Sequence, residues 1–263
     1  IHGSILHYDP SGPKGAPLVT LVHGFPFNRS LWKGQLPALK RRFRVLSYDQ
    51  RGMGASTLGE APQLMERYAD DLLDLLDWVG ERRTALVGLS MGGYVALRAL
   101  QKAPERFWAL GLCDTRADAD PDAAKLGRAA GVALLRKRGV GPFVDGMLPK
   151  LLAPQTLQRR PAIVKALRAM MLRSREDGAV NALVAMVSRT DSRSLLPTLR
   201  MPALCLVGQH DAITPPALAR GMARAVPKAK CVVLKGAGHV SNLERPAEFN
   251  RALMLFLEKA RPR

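Results

Sequence analysis

Residues 88–93 read Gly88-Leu89-Ser90-Met91-Gly92-Gly93, between the apolar run at 84–87 and the helical run at 94–100. A buried strand, a tight turn centred on a serine and an immediate helix leave few folds open. Glycine two residues to either side lets the turn close and keeps Cβ atoms out of the space between strand and helix. The serine hydroxyl then projects at the head of the helix, the geometry of a nucleophile elbow. As a bare pattern Gly-x-Ser-x-Gly recurs by chance, so the strand before it and the helix behind it carry the weight.

The rest of the chain supplies a matching frame. Apolar runs at 4–9, 18–22, 43–48, 107–113, 203–208 and 230–234 read as strands, with turn residues Pro10-Ser11-Gly12-Pro13 after the first. A short helix capped by Ser30 is expected over 30–39. Leu64, Tyr68, Leu72, Leu75, Leu76 and Val79 recur at helical spacing opposite Glu66, Asp70, Asp71, Asp74 and Asp77, which predicts an amphipathic helix ended by Gly80. Further helices are expected at 91–102, 216–225 and 246–259. Continuous apolar strands alternating with such helices imply a mostly parallel central sheet covered by helices on both faces, an α/β fold.

Residues 117–194 break this rhythm, being helical in character with no convincing strand, and too long for an ordinary crossover. The expected organisation is a core domain of 1–116 and 195–263 with a helical cap inserted at 117–194. Met147, Met170, Met171 and Met186 in the insertion fit either an adaptable pocket lining or core filling.

In open parallel sheets, binding groups collect beyond the carboxyl ends of the strands. Ser90 ends one strand, Asp211 follows another and His239 follows the last, in the order Ser, Asp, His. In that reading His239 removes the Ser90 proton and returns it to the leaving group, while Asp211 holds the tautomer and stabilises the imidazolium. Each has a plainer reading: Ser90 or Asp211 as a helix cap, His239 as a loop histidine. Thr214 before Pro215 is available as the cap in place of Asp211. Asp114, just past another strand end, is the alternative acid, and His210 is a decoy beside Asp211. The oxyanion needs two backbone donors, assigned to Met91 after the nucleophile and Phe25 in His23-Gly24-Phe25-Pro26, since Pro26 has no N–H. His23 is read as orienting that loop, and Trp32 as either a pocket wall or packing.

The run Asp49-Gln50-Arg51-Gly52-Met53-Gly54-Ala55-Ser56 lacks the lysine of an ATP loop and the dinucleotide glycine spacing, so it reads as a turn pinned by Asp49 and Arg51. The five histidines are scattered without metal-ligand spacing, and no cofactor is expected. Cys113, Cys205 and Cys231, an odd number in apolar runs, fit free thiols in a reducing, cytoplasmic compartment. No signal-type segment opens the chain and no run is long enough to span a bilayer. Lys and Arg number 40 against 22 Asp and Glu, with 16 basic and 7 acidic residues over 116–200. They are interspersed, with Arg136-Lys137-Arg138 and Arg159-Arg160 the densest spots, which argues against nucleic acid and leaves an anionic substrate as an option.

Taken together, the oxyanion motif at 23–26, the turn at 49–56, the elbow at 88–93, Gly208-Gln209-His210-Asp211 and Gly236-Ala237-Gly238-His239 resemble the α/β-hydrolase superfamily over nearly the whole chain. The pattern is most similar to small serine carboxylesterases and enol-lactone hydrolases. That resemblance implies a cleaved small-molecule ester or lactone, with cofactor-free perhydrolase or haloperoxidase chemistry, carbon–carbon bond hydrolysis, and a non-catalytic ligand-binding protein as the alternatives. Met53 departs from the histidine often found in the turn of those relatives. Serine at 90 argues against the relatives that use an aspartate nucleophile.

Overall fold

The computed structural model describes residues 1–60 and 64–262. In chain order, β1 (Tyr8–Ser11), β2 (Leu18–Val22), α1 (Leu36–Leu39), β3 (Arg44–Tyr48), α2 (Met65–Trp78), β4 (Thr84–Leu89), α3 (Met91–Lys102) and β5 (Phe107–Cys113) form the first part of the core. Five helices follow: α4 (Asp122–Arg138), α5 (Val140–Leu151), α6 (Pro154–Arg159), α7 (Pro161–Met171) and α8 (Glu176–Val187). The alternation then resumes with β6 (Ala203–Gly208), α9 (Pro216–Ala225), β7 (Ala229–Leu234), the one-turn α10 (Ser241–Glu244) and α11 (Pro246–Ala260).

The sheet runs β1-β3-β2-β4-β5-β6-β7, parallel except for β1, which pairs antiparallel with β3. Every residue of β2, β4, β5 and β6 is buried, as strands covered on both faces must be. Alternate side chains feed two apolar clusters. Val22, Leu86 and Val207 join Leu72 of α2, Leu97 of α3 and Met222 of α9, while Leu21, Val87 and Leu206 join Leu39 of α1 and Phe249 and Leu253 of α11. Fully burying such a side chain contributes about 1.5–3 kcal/mol. From β2 the chain first moves outward to β3, then returns to place β4 on the opposite side of β2. That reversal opens a crevice beyond the carboxyl ends of β2 and β4, where an open α/β sheet gathers its ligands.

Several expectations shift. The first strand starts at Tyr8, not Ser4, and runs through Pro10 and Ser11 as an edge strand, where a residue without an N–H is tolerated. The expected helix over 30–39 is two pieces: a 3₁₀ turn at Arg29–Trp32, capped by the Asn28 side chain rather than Ser30, and α1. Trp32 is fully buried against Phe249 and packs the core. The helix at α2 gives way to Gly80 at φ +73°, the left-handed conformation that ends a helix cheaply only at glycine. Cys113 and Cys205 are buried and Cys231 half-buried, all free thiols, with burial raising the Cys205 pKa to about 12. Among the described residues no helix is long and apolar enough to cross a membrane.

Candidate active site

Ser90 sits between β4 and α3 with φ +54° and ψ −116°, a conformation costly for a residue with a side chain and held by its surroundings. Its N–H donates to Cys113 O at 2.9 Å, and Thr115 Oγ1 donates to its carbonyl at 2.7 Å. Two glycines make the turn possible. A Cβ on Gly88 would lie 2.2 Å from Gly92 O, and one on Gly92 would lie 2.2 Å from Val22 O in β2. Ser90 makes no side-chain cap bond to α3, so its hydroxyl is free for another partner.

That partner is His239. Its Nε2 is 2.8 Å from Ser90 Oγ, and its Nδ1 lies 2.9 and 3.0 Å from the two carboxylate oxygens of Asp211. The arrangement fits the neutral imidazole with Nδ1–H donating to Asp211 and Nε2 accepting from the serine hydroxyl. All three side chains are buried. Burial pushes the Asp211 pKa up, but attraction to the imidazolium form of His239, the hydrogen bond from its Nδ1–H and those from Thr214 outweigh this, and the carboxyl is held below its usual range. Thr214 does not cap the following helix as expected: its N–H and Oγ1 donate to Asp211 at 2.8 and 2.6 Å. The spacing Asp-x-x-Thr was visible in the sequence, but its hydroxyl pointed as plausibly at the helix as at the acid.

Asp114 does not face the imidazole as an acid. Its Oδ1 accepts from Gly208 N at 2.8 Å and its Oδ2 from Ser241 Oγ at 2.6 Å. Burial, then repulsion from Asp211, raises its pKa well above the carboxylate range. His210 is exposed.

The loop after β2 abuts the elbow, with an added Cβ on Gly24 falling 3.0 Å from Leu89 O and 3.1 Å from Ser90 Cβ. Among the described residues, neither Phe25 N–H nor Met91 N–H donates to any backbone or side-chain acceptor. Two unpartnered donors beside a serine hydroxyl are what a developing oxyanion needs. His23 is fully buried, with Nδ1 2.8 Å from Gly24 O and Nε2 accepting from Gln50 N at 3.0 Å, and burial lowers its pKa. It orients the loop as a neutral ring. In the neighbouring turn, Asp49 accepts from Arg29 N and Ala55 N, while buried Arg51 forms a two-pronged pair with Asp71.

A cavity of about 490 Å³ lies between α4 and α5 and reaches Phe25 and Ile213, with Phe143, Met147 and Leu183 on its apolar wall and Lys150 beside them. Of the four methionines in the helical segment only Met147 lines it; Met171 and Met186 are core residues. A larger groove of about 810 Å³ runs between β7 and α11 and does not reach Phe25; neither hollow is lined by Ser90, Asp211 or His239. Among the described residues no group of three or more His, Cys, Asp or Glu side chains is placed to hold a metal ion.

Known proteins share this frame. The chain is similar to 3-oxoadipate enol-lactonase 2 of Acinetobacter baylyi, 26% identical over 258 residues covering 97% of this chain and 93% of that one. Among solved structures, a thermophilic esterase from Thermogutta terrifontis superposes with a TM-score of 0.93 at 39% identity, covering 98% of this chain and 94% of that one. The enol-lactonase from Burkholderia xenovorans gives 0.92 at 30% identity, covering 98% of both chains. The alpha/beta hydrolase fold family model matches residues 17–246, and the chain belongs to that family.

Proposed function

We propose that this protein hydrolyses carboxylic esters or lactones through an acyl-enzyme on Ser90, beneath a helical cap formed by residues 117–194. The observation that carries the reading is the continuous hydrogen-bonded line Ser90 Oγ, His239, Asp211. In the first step Ser90 Oγ attacks the carbonyl carbon while His239 Nε2 takes the hydroxyl proton. The carbonyl oxygen, now negative, accepts from Phe25 N–H and Met91 N–H; one such donor is worth about 3–4 kcal/mol in the transition state. The intermediate collapses as the imidazolium gives its proton to the leaving alkoxide oxygen. Water then attacks the acyl carbon with His239 as base, and Ser90 leaves reprotonated. Asp211 stays ionised throughout and stabilises the imidazolium.

The enol-lactonase and esterase names of the relatives support this substrate class. An anionic group on the substrate is favoured by the cavity beside Phe25. Its two cations differ, because Arg128 is paired with Asp120 whereas Lys150 has no carboxylate within 4 Å among the described residues. The test is a hydrolysis screen over aryl esters of increasing acyl length and over lactones, with Ser90→Ala as the blank. Turnover that vanishes in a folded Ser90→Ala supports the reading, and turnover that survives the substitution refutes it.

A further inference from the structure

The loop that carries His239 lies beyond the last strand, so sheet pairing does not fix it, yet an imidazole must be placed to within a fraction of an ångström to serve a nucleophile. Gln155 and Gln209 tie the start of the loop at Gly236, His210 N–H donates to Ala237 O, and three further ties lie at and beyond Gly238. His239 N–H donates to Leu151 O at the end of α5, at 2.9 Å. Ser241 Oγ donates to Asp114 Oδ2 on the sheet side. The third tie is Glu244, 1% exposed, which folds back from α10 so that Oε1 accepts from Gly238 N at 2.6 Å and Oε2 from Ala153 N at 2.9 Å. The two chains press together there: a Cβ on Gly238 would lie 2.6 Å from Ala153 N.

No cation lies within 4 Å of the Glu244 carboxylate among the described residues. A buried carboxylate without a cation carries a desolvation cost, here offset by two charge-assisted bonds from backbone N–H groups. The carboxylate joins those two donors by giving each its own oxygen. One donor immediately precedes His239, and the other stands two residues beyond Leu151, the residue that accepts from His239 N–H.

We propose that Glu244 is a positioning residue for His239, locking the histidine loop to the turn at residues 151–153 so that the base and the end of α5 are held as one unit. The proposal rests on the Ser90–His239 reading given above. Glutamine at 244 keeps the shape but places an NH₂ against one of the two N–H donors, so one tie is lost with little change in packing. A displacement of about 1 Å at a catalytic group costs roughly 100-fold. Glu244→Gln is therefore expected to lower kcat on a short-chain aryl ester about 10- to 100-fold, with KM within about threefold.

The discriminating arm uses His239→Ala. A residue that acts through the imidazole has nothing left to position there, so Glu244→Gln adds no further loss to the residual rate of Ser90 phosphonylation, whereas a merely structural role lowers it in both backgrounds. Glu244→Asp serves as a second variant should Glu244→Gln fail to fold, because it keeps the carboxylate but is one methylene too short to reach both Gly238 N–H and Ala153 N–H. The same kcat loss at preserved KM is expected. Wild-type activity with Glu244→Gln or folded Glu244→Asp within twofold of it overturns the proposal, as does an equal fold-loss in the His239→Ala background. A wild-type protein inert towards both ester and phosphonate overturns instead the hydrolase reading beneath it.

Discussion

Ser90 Oγ and His239 Nε2 lie 2.8 Å apart although 149 positions separate them in the chain. The contact depends on two strand ends meeting across the sheet and on a turn so tight that glycine is required on both sides of the serine.

Gly92→Ala is expected to break that turn. The new Cβ would fall 2.2 Å from Val22 O, a main-chain atom that cannot swing aside, so α3 must back away from β2 and take Met91 N–H with it. Overpacking of this kind typically costs about 1–3 kcal/mol. Thermal unfolding should register the loss together with a fall in activity. Gly221→Ala on α9, with nothing within 4 Å of the added carbon, should instead be stabilising by about 0.5–1 kcal/mol.

Asp114 gives a pH signature. In the unfolded chain its carboxyl titrates near the ordinary value of about 3.9, whereas burial and the charge of Asp211 hold it well higher in the folded state. As pH rises above about 4 the unfolded chain releases this proton and the folded protein does not, so the group favours folding at low pH and that contribution is lost on the way up to the folded value. Asp114→Asn removes the titration but retains an acceptor for Gly208 N–H, while its amide can donate to Ser241 Oγ. Melting temperatures of the variant and wild type, compared from pH 4 to 7, should diverge in the variant's favour as pH rises. Parallel curves would contradict the argument. Asp211 has the opposite sign, its depressed carboxyl stabilising the fold above the ordinary value and ceasing to do so as pH falls through the folded value.

Lys150→Met is expected to reduce the preference for an ester bearing a distal carboxylate over its neutral analogue. An exposed charge pair is worth about 0.2–1 kcal/mol, so the ratio of kcat/KM values should fall by up to about fivefold, and less at high salt where the wild-type preference is itself screened. A ratio unmoved by the substitution would assign the cavity to neutral substrates.

Much of this site was legible because its parts are local. The elbow is six adjacent residues, and Asp211 and His239 each stand just past an apolar strand whose end the sequence marks with glycine. The interactions that orient them were not legible. Thr214 reads as a helix cap, Asp114 as an alternative acid, and Glu244 carries no local pattern at all, since its partners are backbone groups 6 and 91 residues away. The same limit explains Trp32, whose role depended on the position of α11, and the first strand, whose edge position freed Pro10 from the usual exclusion of proline. Helical periodicity gave the character of residues 117–194 but could not say that Met147 faces the cavity while Met171 and Met186 face the core.

We propose Ser90 as a nucleophile activated by His239. Intact-mass spectrometry after brief treatment with an activated aryl phosphonate measures this directly. A single phosphonyl adduct is expected, located on Ser90 by peptide mapping, absent in Ser90→Ala and formed far more slowly in His239→Ala. An unmodified Ser90 in the folded wild-type protein, or labelling at the same rate without His239, would contradict it.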